Sequence, residues 1–188
     1  MTERPFRVLG IAGSLRTGSL NRAVLRALAA APPEGVEVQV YDRLGDVPMY
    51  NGDLDGADLP EAVVDLRARI GQADALLVVT PEYNSSVPGV LKNALDWASR
   101  PLGTGTLTAM PVGVAGVSPS MFGAVWAAAE VRKALTASGA RVLETEVAVP
   151  KADTLIDDAG EFTDAGKLGQ LAELLEELRE LASVPVED

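Results

Sequence analysis

The chain has 188 residues, a net charge of −11 at pH 7, and neither Cys nor His. The absence of Cys and His excludes disulfides, thiolate nucleophiles, Ser-His-Asp catalysis and most transition-metal sites, so any demanding chemistry would belong to a cofactor. The length predicts a single domain over residues 1–188, and the acidic charge argues against a nucleic-acid partner, because phosphate binding needs a basic patch.

The first predicted element is a strand from Phe6 to Ala12. Its continuous apolar part, Val8 to Ala12, is too short for the core of a secretory signal. No apolar run in the sequence approaches the roughly 20 residues that a membrane-spanning helix needs. We therefore expect a cytoplasmic protein without a membrane segment.

A loop rich in glycine and hydroxyl side chains, Gly13 to Asn21, follows this strand. Apolar residues at helical spacing from Leu20 to Ala31 then predict a helix, with Ser19 as its N-cap. Such a loop at a helix N-terminus is suited to a phosphate group, because backbone N–H groups converge there and the helix dipole favours an anion. The loop matches neither the P-loop nor the G-x-G-x-x-G dinucleotide pattern, and a polar turn with a capping serine is the alternative.

One strand and one helix are predicted in the next part of the chain. Val36 to Tyr41 alternates apolar and polar residues, as in a strand with one more exposed face. Asp46 to Asp53 is a loop by its Pro, Gly and Asp content. From Leu59 to Ile70 the apolar residues keep helical spacing, and this helix ends near Gly71.

The most informative stretch begins with the unbroken apolar run Ala75 to Thr80, which predicts a strand buried on both faces. Pro81 ends this strand, because it has no N–H for the sheet. The polar loop Glu82 to Ser86 follows and offers a ring, an amide, two hydroxyls and several backbone N–H groups. Pro88 suits the first turn of the next helix, Gly89 to about Ala98.

The last third of the chain continues the alternation. We predict a strand, a helix stopped by Gly139 at its C′ position, another strand, and a terminal helix with a buried stripe of leucines. These elements span Ala109–Val117, Val125–Ser138, Arg141–Val149 and Ala165–Ala182. Five strands alternating with five helices imply an α/β fold with a parallel sheet between two helical layers, for which the flavodoxin-like order 2-1-3-4-5 is the natural choice. The polar loops after the first and third strands then meet at the switch point of the sheet, where such folds bind ligands.

Two segments resemble the NADPH-dependent FMN reductase family, which includes quinone, chromate and azo-dye reductases. The segment from Pro81 to Trp97 is similar to the family signature P-E-Y-N-x-S-x-P-G-x-L-K-N-A-x-D-W, and Gly13 to Asn21 resembles its flavin-phosphate loop, G-S-L-R-x-G-S-x-N. The resemblance covers residues 6 to about 150. It implies a flavodoxin-like three-layer sandwich with a five-stranded parallel sheet, and FMN as the cofactor.

The resemblance also implies a cofactor site made of three loops. The first loop would bind the phosphate, backbone N–H groups from Glu82 to Ser85 would bond the pyrimidine end of the ring, and Tyr83 would cover part of the ring. The implied cofactor-binding residues are Ser14, Arg16, Ser19, Leu20, Asn21, Pro81, Glu82, Tyr83, Asn84, Ser85 and Ser118. No catalytic acid or base and no metal ligand is expected.

The chain departs from the family in the loop after the fourth strand. Members usually have a glycine-rich S-x-G-G-x-x-G loop there, whereas this chain has Pro119 to Phe122. The bulkier loop is expected to narrow the pocket or to shift the range of substrates. Met121 and Phe122 would pack on the ring or on a partner chain, with Ser118 at the edge of the flavin.

Four further side chains allow more than one interpretation. Met49 and Tyr50 lie where the family has a similar P-x-Y/F segment, so they would border the flavin or a neighbouring subunit, or simply cap a loop onto the core. Lys92 would attract the phosphate of FMN or NADPH, or form an ordinary helical pair with Asp96. Trp97 is expected in the core or an interface rather than against the ring.

The sequence therefore predicts an FMN-dependent NAD(P)H oxidoreductase that reduces quinones, flavins or similar small electron acceptors by ping-pong hydride transfer. NADPH and NADH remain open as donors, and the resemblance implies a homodimer or homotetramer. The main alternative is a non-enzymatic FMN electron carrier of flavodoxin type. A third possibility is an α/β domain that has lost its flavin and serves only in assembly.

Overall fold

Parallel strands form one six-stranded sheet in the computed structural model, which describes residues 4–185. The strands are β1 (Phe6–Ala12), β2 (Val36–Tyr41), β3 (Ala75–Thr80), β4 (Pro111–Val117), β5 (Arg141–Val142) and β6 (Val147–Val149). The helices are α1 (Leu20–Ala30), α2 (Glu61–Gln72), α3 (Gly89–Ala98), α4 (Val125–Ala137) and α5 (Ala165–Ser183). The strand order is β2-β1-β3-β4-β5, with β6 also paired to β4, which confirms the predicted flavodoxin-like topology.

Helices cover both faces of the sheet. One hydrophobic core joins α1 and α5 to one face, and a second core joins α2, α3 and α4 to the other. All six residues of β3 are buried, as the unbroken apolar run predicts for a central strand. Burial of each large apolar side chain of this strand stabilises the fold by roughly 1.5–3 kcal/mol.

The predicted fifth strand, Arg141–Val149, is divided into β5 and β6. Val112 of β4 pairs with Val142, but Ala115 pairs with Val147, so two residues of β4 face four residues of the neighbouring segment. Of these four residues, Leu143 still donates its N–H to the carbonyl of Val112 in β4 at 3.0 Å, whereas Thr145 bonds to two helices. Thr145 donates its hydroxyl to Glu177 of α5, and its carbonyl accepts a hydrogen bond from Arg132 of α4.

Most other predicted boundaries differ from the structure by one or two residues, as is usual at helix and strand ends. The fourth strand begins at Pro111 rather than Ala109, because Ala109 has a φ of +60° and belongs to a turn. In α5, Leu171, Leu174, Leu175 and Leu178 are buried, whereas the flanking Leu168 and Leu181 are only partly buried.

Candidate cofactor site at the carboxyl edge of the sheet

The loop after β1 presents backbone N–H groups that have no partner. Gly13 is tied to β3 by a hydrogen bond from its N–H to the carbonyl of Val79, at 2.8 Å. Beyond it, the N–H groups of Ser14, Leu20 and Asn21 donate no hydrogen bond to any residue between 4 and 185. Ser19 caps α1, since its side chain accepts the N–H of Arg22 at 3.2 Å, as predicted. Unpaired donors at a helix N-terminus provide the environment that an anionic phosphate needs.

The predicted phosphate-binding side chains differ in their exposure and in what they contact. Ser14, Ser19 and Asn21 are buried, Leu20 is half-buried against the core, and Arg16 is exposed. The side chain of Asn21 donates a hydrogen bond of 3.1 Å to the carbonyl of Val117. The side chain of Asn21 therefore joins the first turn of α1 to the end of β4, while its backbone N–H is free toward a ligand.

Most Lys and Arg side chains contact a polar oxygen, but a few in the described part of the chain do not. The exceptions are Arg16, Arg22, Lys133 and Lys151. Arg16 lies in the loop after β1, Arg22 in the first turn of α1, and Lys151 just after β6, so three of them follow the carboxyl ends of strands. The Nε atom of Arg22 is buried without a partner, which is costly unless an anion occupies the site. Arg22 is not among the residues predicted from the sequence, because its position one residue after Asn21 does not indicate that its Nε atom is buried.

The loop after β3 closes in a two-residue turn. The N–H of Tyr83 bonds the carbonyl of Ser86 and the N–H of Ser86 bonds the carbonyl of Tyr83, both at 3.1 Å. The central residues Asn84 and Ser85 have φ values of +53° and +57°, as a type I′ turn requires. Their N–H groups donate no hydrogen bond to the described residues, whereas the N–H of Tyr83 is used within the turn.

Tyr83 connects the two loops. Its hydroxyl donates a hydrogen bond of 3.3 Å to the Oγ atom of Ser14, and 46% of the residue is exposed. Pro81 is buried at the end of β3, against the position that a Cβ atom on Gly13 would occupy. The predicted phosphate loop and the predicted ring loop are therefore adjacent at the carboxyl edge of the sheet.

The side chain of Glu82 contacts α4. One carboxylate oxygen accepts the backbone N–H groups of Trp126 at 3.1 Å and Ala127 at 3.2 Å. The sequence placed Glu82 in the cofactor site through its backbone, and that N–H group has no partner within residues 4–185. Its side chain, by contrast, is committed to the helix.

The loop after β4 is held tightly to the segment after β6. Ser118 is buried, its N–H bonds the carbonyl of Val149 at 3.2 Å, and its Oγ accepts the N–H of Ser120 at 3.1 Å. Met121 and Phe122 are exposed, and the Phe122 ring packs edge-on against Trp126 with centroids 5.0 Å apart. The bulky residues that depart from the family pattern thus stand on the surface beside α4.

The remaining candidate side chains have structural partners. Lys92 contacts Asp96 at 2.5 Å, the ordinary helical pair, and Trp97 is fully buried. Tyr50 packs edge-on against Trp97, with centroids 4.9 Å apart, so it caps a loop onto the core, while Met49 is exposed.

Among residues 4–185, no cluster of three or more acidic, His or Cys side chains is arranged to hold a metal ion. None of the described helices is both long enough and apolar enough to cross a membrane.

These residues fit FMN. The loop after β1 and the first turn of α1 supply unpaired N–H groups, hydroxyls and the unpaired Arg16 and Arg22, which suit a phosphate dianion. The turn after β3 supplies the free N–H groups of Asn84 and Ser85 beside an aromatic ring, which suit a planar heterocycle with polar edges.

Comparison with known proteins gives the same picture. The sequence profile described as NADPH-dependent FMN reductase matches residues 6–154. A quinone reductase from Pseudomonas putida is 39% identical over 160 residues, covering 85% of this chain and 86% of that protein. An NAD(P)H-dependent FMN reductase from Pseudomonas aeruginosa is 40% identical over 160 residues, covering 85% of each. Among solved structures, FerB, a flavoenzyme NAD(P)H:(acceptor) oxidoreductase from Paracoccus denitrificans, superposes with a TM-score of 0.78 at 34% identity, covering 94% of this chain and 96% of that one.

Proposed function

Because the chain belongs to the NADPH-dependent FMN reductase family, we propose that it passes electrons from NAD(P)H to quinones or similar small acceptors. It is an oxidoreductase that uses FMN and a reduced nicotinamide nucleotide. The observation that carries the proposal is the meeting of two loops with unpaired N–H groups at the carboxyl edge of the sheet, joined by the hydrogen bond from Tyr83 to Ser14.

Bound FMN supplies the chemistry, accepting a hydride from the nicotinamide and giving two electrons to the acceptor. The protein binds FMN and orients it. In this proposal Ser14, Arg16, Ser19, Leu20 and Asn21 hold the phosphate, with Arg22 as an addition. The N–H groups of Asn84 and Ser85 would hydrogen-bond the polar edge of the ring, Tyr83 would cover part of it, and Ser118 would contact its far edge. No protein acid or base is assigned, because hydride transfer to a flavin needs none. The absence of His and Cys from the chain is consistent with this.

The surroundings of the site support a planar, partly apolar acceptor. Tyr83, Met121 and Phe122 are all large and exposed. Phe122 contacts Trp126, and the backbone N–H of Trp126 donates to Glu82, the residue before Tyr83. Exposed aromatic and thioether groups favour stacking with flat rings. This arrangement favours quinones over small inorganic acceptors.

We further propose a homodimer or homotetramer built from one domain of 188 residues. Met49, Leu102 and Met121 are the most exposed large apolar side chains of the described residues, at 75%, 74% and 69%. Such side chains are common at interfaces between subunits. Light scattering after size-exclusion chromatography measures the mass directly, and a monomer at micromolar concentration would contradict this assembly. We place the protein in the cytoplasm, where its reduced nicotinamide donor is produced.

The test of function is spectroscopic. The purified protein should be yellow, should bleach when NADPH or NADH is added without air, and should regain its colour when a benzoquinone is added. A yellow protein that NADPH and NADH leave unchanged would favour the electron carrier. A colourless protein that does not bind added FMN would contradict the proposed function altogether.

A further inference from the structure

The N-terminus of α4 has no cap of its own. The residue before it, Ala124, has a φ of +65° and no side chain that could accept a hydrogen bond. The first N–H groups of a helix need acceptors, which usually come from a neighbouring Ser, Thr, Asp or Asn. Here the acceptor is the carboxylate of Glu82, which comes from the loop after β3 and binds the N–H groups of Trp126 and Ala127. The positive end of the helix dipole also favours this carboxylate.

A second carboxylate makes the reciprocal connection. Glu130 lies one turn further along α4, and its Oε2 accepts the hydroxyl of Ser86 at 2.5 Å and the N–H of Val87 at 3.0 Å. The hydroxyl of Ser86 and then the N–H of Val87 hold the pKa of Glu130 below its ordinary value, so the carboxylate is charged at neutral pH. One carboxylate from the loop binds the helix, and one from the helix binds the loop.

The two connections hold opposite ends of the same short segment. Glu82 begins it and Ser86-Val87 ends it, with the turn at Asn84 and Ser85 between them. Asn84 and Ser85 have left-handed backbone conformations, which are unfavourable for residues with a Cβ atom and persist only where the surroundings fix them. The free N–H groups of this turn are the ones assigned to the ring of FMN.

We propose that Glu130 and Ser86 are positioning residues that hold the ring-binding turn in its FMN-competent conformation. This inference rests on the proposed function, because it takes the turn after β3 as the ring site. Neither residue need touch FMN, since both act through the turn. The same arrangement makes α4 part of the site, because Glu82 ties the first turn of this helix to the loop that contacts the ring.

The opposing interpretation is a pair of surface hydrogen bonds that adds only a little stability. Glu130 is exposed on α4, so its loss leaves no buried cavity and should change the melting temperature little. A purely structural role therefore predicts a small change in stability and no change in FMN affinity. A positioning role predicts weaker FMN binding, because part of the binding energy must then order the turn.

The experiment compares Glu130→Ala with Glu130→Gln and with a control, Glu173→Ala, which removes an exposed carboxylate from α5 instead. FMN affinity is measured by flavin fluorescence titration of the apoprotein, and hydrogen exchange of the peptide covering residues 82–87 is measured without FMN. We expect Glu130→Ala to weaken FMN binding about three- to tenfold and to speed exchange in that peptide. Glu130→Gln keeps an acceptor oxygen, so it should recover most of the FMN affinity and most of the protection from exchange. Ser86→Ala should lose less FMN affinity than Glu130→Ala.

The results separate this inference from the proposed function. If Glu130→Ala keeps the FMN affinity of the wild type and its hydrogen-exchange rate in residues 82–87, the positioning role is overturned. A lower melting temperature with unchanged FMN affinity would overturn it as well. Failure of the wild-type protein to bind FMN would contradict the proposed function, and an altered exchange rate in residues 82–87 would then establish only the connection between loop and helix, not a role in FMN binding.

Discussion

The two ends of the sheet use their charged and polar groups in opposite ways. At the amino end lies a cavity of about 870 Å³, whose lining includes Arg4, Asp74, Arg141 and Arg179. Each of these arginines is already paired: Arg4 forms two hydrogen bonds of 2.7 Å to Asp74, Arg141 binds the carbonyls of Leu181 and Val184, and Arg179 binds the carbonyl of Glu34. At the carboxyl end, the cavity lined by Gly116 and Gly123 holds only about 20 Å³, yet within residues 4–185 Arg16 and Arg22 are unpaired and several N–H groups have no acceptor.

Unused hydrogen-bonding capacity therefore distinguishes the proposed cofactor site from the rest of the surface better than cavity volume does. The arginines at the amino end hold the termini of strands and of α5 together, so the large cavity there offers a ligand few free donors. The carboxyl edge, by contrast, is rich in free donors, as a flavin site requires.

The first prediction concerns how closely the backbone packs at the carboxyl edge. A Cβ atom on Gly116 of β4 would lie 2.2 Å from the carbonyl oxygen of Gly123, which is backbone and cannot move aside. Gly116→Ala should lower the free energy of unfolding by about 3 kcal/mol or more. Chemical denaturation measures this effect, and Gly71→Ala, where a Cβ atom meets nothing within 4 Å, is the control. Equal stability of the two variants would mean that the loop after β4 is not held as described.

The second prediction contrasts an unpaired arginine with a paired one. Arg16→Ala should weaken FMN binding by roughly 1.5–3 kcal/mol, about tenfold or more, because it removes a charge-assisted hydrogen bond to the phosphate. Arg179→Ala, at the amino end, should leave FMN affinity unchanged. Equilibrium dialysis of both apoproteins against FMN gives the two dissociation constants. Similar losses in both variants would show that the effect comes from net charge and not from the site.

The third prediction tests the amino end through pH. The guanidinium of Arg4, together with the N–H of Arg7, holds the pKa of Asp74 below its ordinary value of 3.8. The stability from this pairing is fully present above pH 3.8 and is lost as the pH falls through the lower pKa of the folded state. Asp74→Asn should therefore cost about 1 kcal/mol or less at pH 7, and the difference from wild type should shrink as the solution is acidified.

Urea denaturation at several pH values measures that difference, and FMN affinity should not respond to Asp74→Asn. A difference in stability that persists unchanged into strong acid would exclude the carboxylate as its source. A loss of FMN affinity would instead show that the two ends of the sheet are coupled.

The smallest effect is expected for a paired cation near the cofactor site. Lys92 on α3 contacts Asp96, and such exposed pairs contribute about 0.3–0.5 kcal/mol. Lys92→Gln should lower stability by no more than this, and it should leave the KM for NADPH unchanged. Steady-state kinetics with NADPH as the varied substrate measures the second quantity, and a clear rise in KM would return Lys92 to the set of phosphate-binding residues.

Local signals were sufficient for much of the fold. The unbroken apolar run of β3, the cap of α1 at Ser19 and the stop of α4 at Gly139 depend on a few neighbouring residues, and the structure has all three where the sequence placed them. The strand order followed from the alternation of five strands with five helices, for which the flavodoxin-like order is a common arrangement.

Features that depend on distant residues were not predictable. The division of the fifth strand arises from pairing with β4 and from the bond between Thr145 and Glu177, which are far apart in sequence. The side chain of Glu82 looked like part of a ligand loop, yet it caps a helix that begins more than forty residues later. Whether an arginine has a partner is likewise a property of the folded chain, which explains why Arg22 was missed.

The edge-on pair of Phe122 and Trp126 gives the protein a built-in optical reporter. The chain has two tryptophans, of which Trp97 is buried and Trp126 is half-exposed. The backbone N–H of Trp126 donates to the carboxylate of Glu82, the residue directly before the tyrosine of the ring-binding turn. Tryptophan emission overlaps the absorption of oxidised flavin, so energy transfer from Trp126 should dim the protein's ultraviolet fluorescence as FMN binds. Reduction of the flavin weakens that absorption, so the same emission should brighten during turnover and follow the redox cycle without any added label.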